Sequence, residues 1–487
     1  MQCILNGHQY VNEVQTITQV FFPGEKFEML HALPCESTNI IIESTLTTTT
    51  ASGTVYMNGA VISSHSEPTV NLPFYLTDRR VVMLALFHAL KRVLDIETPW
   101  GTLTGIRPSK LVRDWLNKGM STDAVIKTLQ HPFCVDAHKA QLALDVALAE
   151  EKITKDIWHQ KHHQAYNLND AVSSEPVGLY ISIPFCPSRC AYCSFNTSYK
   201  LPDEKFMSEY IHVLIDELEE KSKQIIQKNQ HITSVYIGGG TPTALPDKLF
   251  EKLLFHVQKQ IDNKTNIEFT VEAGRPDTIT ASNAALMKQY QVNRVAVNPQ
   301  TLNDKTLQKI GRAHTTDDFY RAFYIVRHAG IKTVNVDLIA GLPGQTITDM
   351  QFNMNEMMKL SPENLTIHTL AVKRASTINE NRDDYLLPTI AETEAMLNIC
   401  ADHAKLMHLQ PYYLYRQKNM VGLFENIGYA MPGHESTYNV GMMAETQTII
   451  GIGVGAVTKY VTGDKISRTF NVKDPALYMQ KRTSMRL

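Results

Sequence analysis

The stretch VGLYISIPF at 177–185 runs straight into Cys186-Pro-Ser-Arg-Cys190-Ala-Tyr-Cys193. The first part reads as a buried strand, because β-branched and aromatic residues crowd a short apolar run. Tyr180, Ser182 and Pro184 alternate onto one face of it, the face that leads to Cys186. The second part puts three thiols within eight residues of a strand-to-helix loop, which core packing does not require. Five more runs of this kind follow: SVYIGGG at 234–240, EFTVEAG at 268–274, RVAVNPQT at 294–301, TVNVDLIAG at 333–341 and NLTIHTLAV at 364–372. Segments of helical period separate them. The clearest carries Met207, Tyr210, Ile211, Leu214 and Leu218 as one apolar stripe. Such alternation predicts parallel βα units. Six units fit an open barrel or a doubly wound sheet, and both place ligands at the C-terminal ends of the strands.

The flanking sequence has a different texture. Residues 1 to about 75 are rich in Thr, Val and Ile and predict strands, and from about Leu76 to Lys161 the pattern turns helical. A polar segment with His159, His162 and His163 then reads as a linker rather than a metal tract. From about Lys405 onward the sequence reads as a small appended region closing over the barrel mouth. The expected organisation is an N-terminal α+β extension over 1–165, a core over 166–404 and a C-terminal region over 405–487.

Bulk composition excludes several classes. In 487 residues, 47 Lys and Arg stand against 49 Asp and Glu, with 43% hydrophobic residues. This is an ordinary globular balance, neither disordered nor a basic nucleic-acid binder. The longest apolar run, at 81–90, is about half a membrane span and is flanked by Arg79, Arg80, Lys91 and Arg92, so no span is expected. The first residues show no basic start and apolar core of a signal peptide. Seven cysteines are too few and too uneven for a secreted disulfide framework, and a cytoplasmic location with reduced thiols is expected.

The chemistry of the cysteine loop follows from its donor count. A structural zinc site closes with four ligands. No fourth Cys or His lies beside Cys186, Cys190 and Cys193: His212 falls on the next predicted helix and Cys400 lies far along the chain. Three soft thiolates suit an iron–sulfur cluster, and in a four-iron cluster one iron then stays open to a small chelating molecule. After the second strand, Gly238, Gly239 and Gly240 permit close ligand approach, and Thr241 adds a hydroxyl. Glu272 ends the third strand, where a carboxylate can hold ribose hydroxyls. Gln300 and Arg312 follow the fourth, and Asp337 lies in the fifth with Arg312 as its candidate partner. The run from Gly451 to Ala456 matches a dinucleotide fingerprint on paper, but the residues after it read as strand, not helix, so a dinucleotide site is not expected there.

The C-x3-C-x2-C spacing after a strand resembles the radical S-adenosylmethionine (SAM) superfamily. Further strings resemble its HemN-like branch of oxygen-independent coproporphyrinogen oxidases: the run from Tyr180 to Cys186, GGGTPT at 238–243, VEAGRPD at 271–277, Gln300, IGR at 310–312 and NVDLIAGLPGQT at 335–346. TGIRPSKLV at 104–112 and LYRQKNMVGLFENIGYAMPG at 414–433 are most similar to the HemZ subgroup. The resemblance implies an α/β fold, a partial (β/α)6 TIM-like barrel. It implies a [4Fe-4S] cluster on Cys186, Cys190 and Cys193, and SAM near Tyr180, Tyr192, Gly239, Gly240, Thr241 and Glu272. Gln300, Arg312, Asp337, Ala371 and Val457 match further cofactor positions, where HemN-like enzymes hold a second SAM. The implied reaction is decarboxylation of two propionates of coproporphyrinogen III, with a flavodoxin or ferredoxin as electron donor. Lys373, Arg374, Arg416 and Lys418 are candidate cations for the substrate carboxylates. Two positions depart from the pattern. Phe195 stands where HemN-type oxidases carry a further cysteine, as in the heme-chaperone branch HemW. Tyr438, Asn439, Met442 and Met443 stand where that branch has its His-Asn-x-x-Tyr-Trp motif.

Overall fold

The computed structural model describes residues 1–32, 40–94, 96–159, 174–193, 201–261, 267–373, 376–417 and 420–484. His162, His163, Phe195, Arg374, Lys418 and Cys35 lie outside the described residues. Packing divides the chain into two compact units, one of residues 1–147 with a short segment beginning at Arg416, the other of the remainder.

The first unit holds a sheet of β1 (Gln2–Asn6), β2 (Glu28–Leu30), β3 (Ile41–Leu46), β4 (Thr50–Met57) and β5 (Ala60–Pro68), in the order β2-β1-β3-β4-β5. Helices α1 (Val11–Phe21), α2 (Asp78–Lys91), α3 (Pro108–Asn117) and α4 (Thr122–Gln130) belong to it, and α5 (Ala137–His159) leads out of it. Helix α1 departs from the strand-rich expectation. Its Val, Ile and Thr favour strands, yet Val14, Ile17, Thr18 and Phe21 are buried at helical spacing. The parallel pairing of β1 with β2 needs a crossover, and α1 supplies it. The apolar run at 81–90 lies in α2, and no helix among the described residues is long and apolar enough to cross a membrane.

The second unit is built on six parallel strands: β6 (Glu175–Ile183), β7 (Gln230–Gly239), β8 (Glu268–Glu272), β9 (Arg294–Ala296), β10 (Thr333–Ala340) and β11 (Asn364–Thr369). They pair in chain order, with α6 (Glu204–Gln227), α7 (Asp247–Ile261), α8 (Ala281–Gln289), α9 (Asp304–Lys309), α10 (Thr316–His328) and α11 (Ile347–Leu360) in the crossovers. Each of the six apolar runs is one of these strands. The fold is mixed α/β with the parallel topology of a (β/α)6 core. Asp203 caps α6 by accepting from the Phe206 amide at 2.8 Å, and the five-residue stripe on that helix is buried.

Strand register separates two faces. Leu179, Ile181, Val235, Ile237, Phe269, Val271, Val295, Val336 and Leu338 are fully buried. The alternate residues are Tyr180 and Ser182, paired with Tyr236 and Gly238, then Thr270 and Glu272, and Asn335 and Asp337. One face therefore carries the apolar core and the other a polar set, a division that period-2 alternation enforces.

The C-terminal residues extend the sheet at both of its edges. After β11 come α12 (Thr377–Glu380), α13 (Ile390–Leu406), β12 (Gln410–Tyr415), β13 (Asn426–Ala430), α14 (Thr437–Met443), β14 (Thr448–Ile452), β15 (Val457–Thr462), β16 (Lys465–Phe470) and α15 (Pro475–Ser484). β13 pairs antiparallel with β11 at one end of the six strands, and β14 pairs parallel with β6 at the other. An open parallel sheet leaves unpaired amides and carbonyls along both edge strands, and these additions satisfy them. Gly451 and Ile452 end β14 and the turn from Gly453 to Ala456 joins it to β15, so the fingerprint-like glycines belong to a hairpin. Glu217 of α6 fastens it: its carboxylate accepts from the Gly453 amide at 2.8 Å, Asn471 Nδ2 at 3.0 Å and Tyr478 Oη at 2.6 Å. Glu217→Ala would strand these donors around a side chain that is 1% exposed. A loss on the order of 3 kcal/mol is expected, read as a lowered melting temperature; an unchanged melt would contradict the brace.

Candidate functional site

The site grows from the end of β6. There the chain turns into the cysteine loop, and two backbone bonds tie that turn to the glycine run after β7. The Gly240 amide donates to the Ile183 carbonyl and the Thr241 amide to the Phe185 carbonyl, both at 2.7 Å. A Cβ on Gly240 would lie 2.4 Å from the Phe185 oxygen, and Gly239 adopts φ +104°, so both positions demand glycine. Thr241, 1% exposed, sets its Oγ1 3.5 Å from Cys186 Sγ. Cys186, Cys190 and Cys193 are free thiols, each half-buried. Burial pushes the Cys186 thiol up, the Thr241 hydroxyl opposes this, the other two thiols add to it and Arg275 draws it down.

The rest of the loop is held by cations from later strands. Arg275, three residues after Glu272, is buried and donates to Ser188 Oγ at 3.0 Å, with its Nη1 3.9 Å from Cys190 Sγ. Arg312 donates from Nη1 to Tyr192 Oη at 3.0 Å and from Nη2 to the Asn298 carbonyl at 2.7 Å and to the Gly274 carbonyl. One guanidinium thus joins the cysteine loop to the segments after β8 and β9. The Ala191 amide donates to the Ile310 carbonyl at 2.8 Å, and a Cβ on Gly311 would sit 2.7 Å from the Arg189 oxygen. The IGR string at 310–312 is therefore a docking turn for the cysteine loop.

Arg312 does not pair with Asp337, contrary to the sequence expectation; its guanidinium is consumed by Tyr192 and two carbonyls. Asp337 instead accepts from Asn335 Nδ2 at 2.7 Å and has His368 Nε2 3.5 Å away. Glu272 accepts from Tyr236 Oη at 3.2 Å. Burial, and then the Asp337 charge, push the Glu272 carboxyl up to about 7, against the hydrogen bonds from Tyr236 and the Gly239 amide. Gln300 stands at φ +70°, with its amide on the Asp337 carbonyl at 3.0 Å and its Oε1 buried without a protein partner. That orphaned acceptor, the Cβ-free turn at Gly239 and Gly240 and the three soft thiols fit an iron–sulfur cluster with a polar small molecule beside it.

Tyr180, Tyr236 and Tyr438 stack, with centroids 4.6 Å apart for Tyr236 and Tyr438 and 6.2 Å for Tyr180 and Tyr236. Helix α14 delivers Tyr438. Glu268 at the start of β8 takes the Thr437 amide at 2.7 Å and Ser436 Oγ at 2.8 Å, holding the N-terminus of that helix. The polar face is thereby plugged at its lower end. Ala371 bridges Met420 beyond β11, while Val457 starts β15, beyond β14 on the opposite edge. Arg416 is buried in the first unit, donating to the Leu103 carbonyl and lying 5.6 Å over Trp100, which removes it as a candidate substrate cation. Lys373 is half-buried. Sequence reasoning missed Arg275, Tyr236 and His368, although all three lie within strings or runs it singled out; period-2 alternation with Tyr180 was the available signal for Tyr236.

Comparison with known proteins gives a consistent result. Residues 180–356 match the family model described as the Radical SAM superfamily. The chain is 35% identical over 406 residues to the oxygen-independent coproporphyrinogen-III oxidase-like protein HemZ of Bacillus subtilis, covering 83% of this chain and 78% of the relative. It is 28% identical over 312 residues to heme chaperone HemW of Escherichia coli, covering 64% of this chain and 78% of that one. Among solved structures, coproporphyrinogen III oxidase (HemN) from Escherichia coli, a radical SAM enzyme, aligns with a TM-score of 0.52 at 20% identity, over 64% of this chain and 70% of that one; it shares the fold.

Two outcomes are expected. Gly240→Ala, by pushing the Phe185 carbonyl away, should lose most of its iron after anaerobic reconstitution; full iron content would contradict the cradle. Glu272 titrates near 7 in the folded chain against an ordinary 4.5. The folded chain therefore holds a proton that the unfolded chain releases, and stability falls as pH rises through this window to about 7. Glu272→Gln removes the effect, so its melting temperature should exceed that of the parent by a few degrees at pH 8 and by little at pH 5. An equal difference at both pH values would contradict the burial argument.

Proposed function

We propose that this chain, which belongs to the HemZ-like group of the radical SAM superfamily, is an enzyme that decarboxylates coproporphyrinogen III to protoporphyrinogen IX without oxygen. The observation that carries the radical chemistry is the convergence of the three thiols, the Gly239–Gly240 cradle and Glu272 at the ends of β6, β7 and β8. The substrate rests on the likeness to HemZ over most of the chain.

When bound, a [4Fe-4S] cluster supplies the electron that cleaves SAM, and SAM supplies a 5′-deoxyadenosyl radical that takes a hydrogen atom from substrate. Cys186, Cys190 and Cys193 hold the cluster and leave one iron for SAM. Tyr192, fixed by Arg312, packs beside that loop. Gly239, Gly240 and Thr241 receive the amino group of SAM, and Glu272 accepts from its ribose hydroxyls, in a form that rising pH favours. Gln300 at its strained φ, Arg312, Asp337, Ala371 and Val457 belong to the same cofactor region; one SAM is the reading, with a second an outcome of stoichiometry. The tyrosine floor excludes water from the lower end. Each propionate would give one hydrogen atom to the 5′-deoxyadenosyl radical, release carbon dioxide and pass one electron to a separate one-electron acceptor, and so become a vinyl group. Lys373 remains as a carboxylate partner. A flavodoxin or ferredoxin donor and a cytoplasmic setting complete the reading.

The likeness to HemW favours a second reading, a heme-handling protein. Reconstituted protein with SAM, a reductant and coproporphyrinogen III under anaerobic conditions separates the two. Vinyl products detected by mass are expected. SAM cleavage with no vinyl product, together with stoichiometric heme binding, would overturn the oxidase reading in favour of the chaperone.

A further inference from the structure

The first unit contains a cluster of side chains that the radical chemistry does not use. β5 is the edge strand of its sheet, and its inward-facing residues are Ser63, His65 and Glu67 rather than apolar ones. Their partners across the ladder are small or modest: Val55 faces Ser63, Gly53 faces His65 and Ala51 faces Glu67. Into the same space α2 sends His88, and the loop before α5 sends Cys134. His65 Nε2 is 2.8 Å from Glu67 Oε1, His88 Nε2 is 3.9 Å from the same oxygen, and Cys134 Sγ is 3.7 Å from His88 Nε2. Ligand atoms of His65, Glu67 and His88 all lie within 4.8 Å of one another.

A His–Glu hydrogen bond alone would satisfy two half-buried polar groups. It does not account for a second imidazole 3.9 Å from that carboxylate, beyond direct hydrogen bonding, while the thiol beside that imidazole donates to the Pro132 carbonyl at 3.3 Å. Cys134 itself stands at φ +57°, a conformation that a non-glycine residue adopts at a cost. Zinc bound at about 2.0–2.1 Å to nitrogen or oxygen and about 2.3 Å to sulfur gives tetrahedral edges of roughly 3.3–3.6 Å. The three separations of 2.8, 3.9 and 3.7 Å bracket that range, and Cys134 Sγ, which now donates to the Pro132 carbonyl at 3.3 Å, turns from it toward Glu67 and His65 to complete the shell.

We infer that His65, Glu67, His88 and Cys134 form a structural zinc(II) site that ties β5, α2 and the loop before α5 together. Two nitrogens, one carboxylate oxygen and one thiolate are the borderline donor set that zinc takes, and four protein ligands leave no open position for catalysis. Binding releases the Cys134 proton to solvent. The His65 proton moves from Nε2 to Nδ1. Arg92, whose Nη2 now meets Nδ1 at 3.0 Å, gives up that contact and keeps the Ser64 carbonyl at 2.8 Å. The carboxylate and thiolate balance the ion, and Arg92 remains the one extra charge at the site's outer side, with Lys91 drawn to the Ile96 carbonyl.

The test uses the full-length chain, reconstituted with iron and sulfide so that Cys186, Cys190 and Cys193 are occupied, then loaded with zinc and dialysed. One zinc per chain is expected in addition to the iron. X-ray absorption at the zinc edge should show one sulfur and three nitrogen or oxygen neighbours. Cys134→Ala and His88→Ala should each weaken zinc retention by tenfold or more, on the order of the loss that disrupted zinc shells show, while iron content stays at the parent level. No retained zinc, or a coordination shell with no sulfur or with several, would overturn the proposal. The absorption measurement needs only the parent protein, so it decides the matter even where a variant fails to fold.

Discussion

Two backbone hydrogen bonds, from Gly240 to Ile183 and from Thr241 to Phe185, set the geometry on which the site depends. They fuse the turn after the first parallel strand to the turn after the second. Only a residue without a Cβ allows the approach. Once made, the junction fixes where Cys186 stands, brings Thr241 beside its sulfur and leaves an open backbone cradle facing the polar side of the sheet. Arg275 and Arg312 then carry the constraint outward, from the cysteine loop to the turns after β8 and β9.

The second dependence is electrostatic. Glu272, Asp337, His368 and Tyr236 share the polar face; burial and the Asp337 charge raise the Glu272 carboxyl, and Tyr236 and His368 oppose them. A carboxylate pair so arranged is costly in the free protein and is relieved by a ligand that donates hydroxyls. Gln300, with strained φ and an orphaned buried oxygen, is held in the same expectation of a partner. At Gln300 strain and an unsatisfied acceptor coincide on the polar face, and the outer face of the same strands is plain hydrocarbon.

Much of this was legible in the sequence, for physical reasons. The six strands stood out because period-2 polarity and helical stripes alternate cleanly, and the cysteine loop because three thiols in eight residues have no packing purpose. Helix α1 was not legible, since its β-branched residues argue for a strand and only the crossover topology decides otherwise. The C-terminal additions to both sheet edges join residues far apart in the chain, which local pattern cannot reveal. The Asp337 partner was misjudged for a related reason. Arg312 was the nearest cation in a motif, but its bonding capacity is spent on Tyr192 and two carbonyls, whereas His368 reaches Asp337 from the neighbouring strand. Arg416, a candidate cation for substrate carboxylates in the sequence, is instead a buried member of the first unit.

The central claim is that three thiols hold a four-iron cluster whose fourth iron faces SAM across the glycine cradle. The most direct measurement is the electron paramagnetic resonance spectrum of the reduced, reconstituted chain before and after SAM is added. A single reduced [4Fe-4S] signal is expected, shifting on SAM addition. A spectrum that SAM leaves unchanged in the parent chain would contradict the account.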